Sequence, residues 1–246
     1  MDRAKAVIKD EEVVVYWASC ENKEELYTDP VSLYSSLKSK KEKRFKEQGF
    51  FSCPSFKDIT SNTYIFSSTS DNMYKLDIPN GRLEFTETSV EASSVRPPSI
   101  ENCFLFKLSL SWIFFSEESL VMEITPAYFS ETSHTEFGAI VPGAFDIGRW
   151  FRPINAEFQL WDGVDAFSLP KEEPIFYAKF NTNKKVIVKR FYMNKEIESI
   201  KKQHVESKVS LNPFLTLDNR YKSFESSSVS KELISAISRS NKLKKE

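Results

Sequence analysis

The sequence predicts a mainly β protein of the β-rich α+β type: an antiparallel β-sandwich or jelly-roll-like barrel with peripheral helices. Three observations predict it. Apolar and polar residues alternate with period two along the middle of the chain, which puts alternate side chains on opposite faces of a strand. Asn80-Gly81 lies between two such alternating runs, and Asn-Gly is the strongest short-range hairpin signal. No strand–helix–strand alternation is sustained, which disfavours a doubly wound parallel sheet. The 21 Phe among 246 residues supply the apolar area for a core.

Residues 1–10 read as a flexible arm, 11–222 as a single β-rich domain, and 223–246 as a Ser/Lys-rich tail with a short helix around Leu233 to Ile237. Val13-Val14-Val15-Tyr16-Trp17 is β-branched and aromatic, hence a strand. Asp29-Pro30 is an N-cap and N1 pairing, and Val31, Leu33, Tyr34 and Leu37 follow at helical spacing. Residues 49–56 form an irregular aromatic segment broken by Pro54, and Asn62 to Ser67 is a strand. Residues 73–78 and 82–85 are the arms of the Asn80-Gly81 hairpin. Ser93-Ser94 and Pro97-Pro98 mark 87–100 as a loop.

Phe104 to Phe115 is the longest strand. Its even positions, from Phe104 to Phe114, are all apolar; its odd positions include Lys107, Ser109 and Ser111. Leu120 to Ile124 reads as its partner strand, and 126–148 as a long connection. Ile154, Ala156, Phe158 and Leu160 share one face of the next strand, with Asn155, Glu157 and Gln159 on the other. Pro174 to Phe180 and Lys185 to Tyr192 read as a pair of strands across Asn181-Thr182-Asn183. Met193 to His204 has a helical pattern.

Composition excludes several function classes. There are 34 Lys+Arg against 35 Asp+Glu, so no global basic bias favours nucleic acid. With 6 Gly and neither a GxGxxG nor a GxxxxGK[ST] motif, the usual nucleotide cradles are absent. Cys20, Cys53 and Cys103 make neither a disulfide framework nor a CxxC metal site. The charged N-terminal residues contain no signal-peptide core, and the apolar run 104–115 is too short to span a bilayer. The expected setting is soluble and intracellular, without a membrane partner.

Four constellations are candidate sites. Arg149 and Arg152 flank Trp150 and Phe151, where two guanidiniums could clamp a carboxylate or phosphate. Asp146 could instead pair with one of them, and this structural reading is the favoured one. Asn155, Glu157 and Gln159 make a polar stripe, with Lys107, Ser109 and Ser111 as a second. Facing each other inside a barrel they would line a ligand pocket; facing water they are a solvated surface, which is the favoured reading. His134, Glu136 and His204 are residue types that could hold Fe(II) as a two-histidine, one-carboxylate triad. The bland alternative is two surface histidines. The run Lys38 to Lys46 could meet phosphates, but only Phe45 interleaves it, and a solvated helix end is the favoured reading.

Phe50 to Phe56, Leu110 to Phe115 and Asp146 to Ile154 resemble segments of small uncharacterised proteins of tailed marine bacteriophages, the cyanophage group in particular. Tyr177 to Arg190 is similar to them too. The likeness spans residues 13–205 and implies a viral origin. No activity belongs to that group, and no functional residue carries over. The expectation is therefore a phage-type binding or accessory protein without a cofactor, acting on a protein or small ligand in the host cytoplasm or as a minor virion part. The alternative is a cupin-like non-haem Fe(II) oxygenase.

Overall fold

The structure is a computed structural model that describes residues 11–20, 27–44, 50–69, 72–77, 82–85, 94–96, 104–161, 163–164, 166–209, 216–225 and 228–243. In chain order the strands are β1 (Glu12–Ser19), β2 (Val31–Ser32), β3 (Thr63–Ser67), β4 (Asn72–Asp77), β5 (Arg82–Phe85), β6 (Ser94–Arg96), β7 (Phe104–Ser116), β8 (Val121–Pro126), β9 (Gly138–Ile140), β10 (Gly143–Asp146), β11 (Ile154–Leu160), β12 (Ala166–Leu169), β13 (Pro174–Phe180) and β14 (Lys185–Arg190). The helices are α1 (Leu33–Arg44), α2 (Pro54–Thr60), α3 (Lys195–Val209), α4 (Leu217–Glu225) and α5 (Val229–Leu243).

Two open sheets make the core. The first runs β14-β1-β7-β11-β9, with β6 also on β7; the second runs β10-β8-β13-β3-β2. Strands β12, β4 and β5 form a small third sheet. The protein is thus β-rich α+β, and its pairings are antiparallel except β1 with β14. Val15 and Trp17 of β1, Trp112 and Phe114 of β7, and Phe158 of β11 face Phe66, Met122, Phe176 and Phe180 of the second sheet. Phe66 stacks on Phe176 at 5.0 Å and meets Trp17, Trp112 and Phe114 edge-on. Each such ring pair adds about 0.5–1.5 kcal/mol beyond the area it buries.

The outer faces differ. Ile113 and Phe115, on the odd positions of β7, are wholly buried under Ile197 of α3, Phe224 of α4, and Leu233 and Ile237 of α5. The second sheet carries α1 and α2, with Leu33 and Leu37 packed near Ala127, Phe129 and Tyr177. The layers are therefore helix, sheet, sheet, helix.

Several sequence expectations change here. Lys107, Ser109 and Ser111 suggested a wetter face along all of β7, yet its C-terminal end is buried on both sides because the helices cover it. Among the described residues the segment beyond 223 is more than a surface tail: Phe224, Leu233, Ala236 and Ile237 are core residues. Their spacing is helical, and the polar Ser and Lys between them lie on the other face. The Pro30 helix begins at Leu33, after the two-residue β2, with Ser35 N–H donating to Ser32 Oγ. Residues 54–60 form α2, for which Pro54 supplies the favoured first position.

The strand pairings change most. Strand β8 does not pair with β7, nor β14 with β13: each couple crosses from one sheet to the other. They are arches, not hairpins. The Asn80-Gly81 hairpin does form, with Asp77 opposite Arg82, while its turn lies outside the described residues.

Candidate functional site

The loop predicted between 126 and 148 holds β9 and β10, one in each sheet. Val141-Pro142 bridges the gap between them. Val141 N–H donates to the Glu157 carbonyl, which ties the bridge to β11. Beside it, at the open edge of the sandwich, lies a crevice of about 240 Å³. Its wall includes Ile124 of β8, Phe145 of β10, Ile154 and Ala156 of β11, Pro142 and Trp150. Glu157 lines it as well. The Trp150 and Phe145 rings are 6.1 Å apart. The Trp150 indole N–H is buried and meets no acceptor among the described residues.

The two predicted arginines take different parts. Arg149 Nε donates to Asp146 Oδ2 at 2.7 Å. Asp146 is 3% exposed and also accepts from Ser119 Oγ and from the N–H groups of Leu120 and Gly148. Burial pushes its pKa up, but the bonds from Ser119, Arg149 and Leu120 outweigh burial and hold the carboxyl below its ordinary value. Asp146 N–H donates to Tyr221 Oη, and the Arg149 guanidinium lies 4.7 Å from the Tyr221 ring. Glu225 pairs with Arg149 at 3.4 Å. This knot fastens α4 to the end of β10. Gly148 fits there because a Cβ would come within 2.1 Å of the Glu118 carbonyl. Arg149 is thus an anchor of the fold. Arg152 instead lies 5.1 Å over the ring of Trp150, a residue that lines the crevice.

No family model, characterised protein or solved structure matches this chain.

The polar stripes do not face each other across a cavity. Asn155 pairs with Ser111, and Glu157 with Lys107, so they are neighbours along one sheet. Gln159 and Glu157 are half-buried, and the side chains of Asn155, Lys107, Ser109 and Ser111 lie outside the described residues.

His134 sits in a one-turn helix, Ser133–Glu136, and is 2% exposed, not a surface residue. Its ring meets Phe158 edge-on at 5.3 Å, on the inner side of the first sheet. Nδ1 lies 3.1 Å from Glu173 Oε1, which also accepts from Ser133 Oγ. A carboxylate accepts only, so the Nδ1–H tautomer is assigned. Burial pushes the His134 pKa below the ordinary value, against the pull of Glu173. His204 belongs to α3, which packs on the outer side of that sheet, and its side chain lies outside the described residues. Of the residues expected in the iron triad, His134 is thus engaged through Nδ1 by Glu173. Among the described residues no three of His, Cys, Asp and Glu gather at a metal position.

Sequence reading missed Asn62. It has a φ of +52°, in the left-handed region that Asn tolerates. Its Nδ2 donates to the carbonyls of Thr182 and Lys184, and its Oδ1 accepts from Val186 N–H. One side chain thus staples the β13–β14 arch. Beside it is a polar groove of about 720 Å³, lined by Asp58, Asn62, Lys179, Asn183, Lys184 and Lys185 among others. A lone Asn before a strand carries no mark of this role in the sequence.

Proposed function

We propose that this protein is a binding or accessory protein of phage type, and that the edge crevice holds an apolar side chain of its partner. The observation that carries this reading is the crevice's size and lining. Small-molecule and cofactor sites occupy about 300–1,000 Å³, and this crevice is below that range. It suits a single buried anchor, the usual centre of a protein–protein contact. Two sheets, a Pro-containing bridge and two aromatic rings form its walls. The resemblance to marine phage proteins supports the viral setting.

The test is selection of random peptides on the immobilised protein, with Val141→Trp as the counter-target. Val141 lines the crevice, is half-buried and is not a core residue. Peptides that bind the wild-type chain and lose about tenfold or more in affinity on Val141→Trp support the reading. Equal binding to both proteins, or no enrichment, overturns it.

A further inference from the structure

The two core sheets end in β14 and β9, and in β10 and β2. An edge strand presents backbone groups with which a further strand can pair. The edge of β14 is occupied by side chains. Its odd positions bond β1, with Lys185 N–H donating to the Glu11 carbonyl and Phe191 N–H to the Trp17 carbonyl. On its other side Val186 N–H donates to Asn62 Oδ1, Tyr64 Oη donates to the Val186 carbonyl, and Asn241 Nδ2 donates to the Arg190 carbonyl. Strand β10 differs. Ile147 N–H donates to the Leu120 carbonyl of the β8 side, whereas Asp146 N–H donates to Tyr221 Oη. Even positions of β10 therefore direct their backbone groups away from β8. Asp146 is fully used there, because its carbonyl accepts from Arg149 N–H. Ala144, two residues back, directs its N–H and C=O the same way; it is exposed, and no strand among the described residues pairs with that side of β10.

This open edge adjoins the crevice. Gly143 and Phe145, on either side of Ala144, both line it. A Cβ on Gly143 would lie 3.1 Å from Phe145 Cε2, so these two positions face the same way. We propose that the partner binds through an extended segment added as a strand to β10, with its apolar anchor in the crevice; this rests on the crevice reading above. One residue of the segment pairs with Ala144 through two main-chain hydrogen bonds. The period of two then turns its neighbour, opposite Gly143 or Phe145, onto the crevice side. Main-chain bonds supply affinity and the crevice selects the side chain, as in other strand additions. A helical segment has its backbone groups bonded internally and leaves Ala144 unmatched.

The probes are the peptides selected on the immobilised full chain, each resynthesised with one backbone N-methyl group at every position in turn and measured by fluorescence anisotropy. Methylation of a residue flanking the apolar anchor, whose N–H donates to β10, should weaken binding by about tenfold. Methylation of the anchor itself, whose N–H points away from β10, should change it by less than about twofold. Ala144→Pro removes the outward N–H at an edge position that admits proline, and should weaken every peptide by about tenfold. Thermal melts check that this variant folds; if it does not, the methyl scan decides. Peptides that lose affinity on Val141→Trp yet bind equally after every methylation overturn strand addition and leave the crevice reading standing. No enrichment, or indifference to Val141→Trp, overturns both. A dimer of the full chain, seen by sedimentation and dissociated by Ala144→Pro, would give the edge to a second copy and overturn the proposal.

Discussion

The two outer faces of the sandwich carry the same kind of cover and end in different states. Over the first sheet, α3, α4 and α5 bury Ile113 and Phe115 completely. Over the second, α1 and α2 bury Leu33 and Phe56 but leave Val31, Tyr34, Ile59 and Tyr128 exposed. Sequence explains part of the difference. Helix α5 places Leu233, Ala236 and Ile237 on one stripe, whereas α1 beyond Leu37 is almost wholly charged or hydroxylic and has no second apolar turn to lay down. A helix with one apolar stripe seals a sheet. A helix with one apolar end is pinned at that end.

The comparison breaks most visibly in stability. Phe115→Ala, on the sealed face, should cost about 3–5 kcal/mol by cavity formation. Tyr128→Ala, on the open face, should cost about 1 kcal/mol, the contribution of its ring contacts with Phe129 and Tyr177. Urea unfolding of both variants checks this. Equal losses would erase the distinction between the faces.

The tether of α4 comes next. Asp146→Asn leaves Arg149 without its buried partner and should cost about 3 kcal/mol at neutral pH. The sign of its pH dependence follows from the lowered carboxyl pKa in the fold. Stability from Asp146 is fully present above the unfolded value of about 4 and is lost as pH falls through the lower folded value. The gap between wild type and variant should therefore narrow below about pH 4 in thermal melts. A gap that widened there would contradict the assignment.

The smallest difference, between two substitutions at one position, sharpens the arch. Asn62→Gly keeps the left-handed backbone and loses the three side-chain bonds, whereas Asn62→Ala loses both. Glycine should cost about 2 kcal/mol and alanine about 1 kcal/mol more, measured by chemical denaturation. Identical losses would mean that backbone conformation is irrelevant at this corner.

Strand identity was legible in the sequence, and sheet membership was not. Period two marks β7 and β11 because one face of each meets a dry core. The partner of a strand is set by which apolar faces close the sandwich, which no local pattern encodes. Leu120 to Ile124 follows β7 closely enough for a hairpin, yet its Met122 and Ile124 are needed on the opposite wall of the core. The β13–β14 arch is likewise held by Asn62, about 120 residues away in the chain. At the candidate site, Asp146 beside Arg149 was readable as an ion pair, because they lie three positions apart. The crevice was not, since it depends on Ile124, Phe145 and Ala156 arriving from both sheets.

The central claim is that one outer face is sealed and the other is covered by a helix pinned at one end. Hydrogen–deuterium exchange of the full chain tests it most directly. The account predicts slower exchange in α5 than in α1 beyond Leu37. Equal protection of the two, or stronger protection of α1, would contradict it.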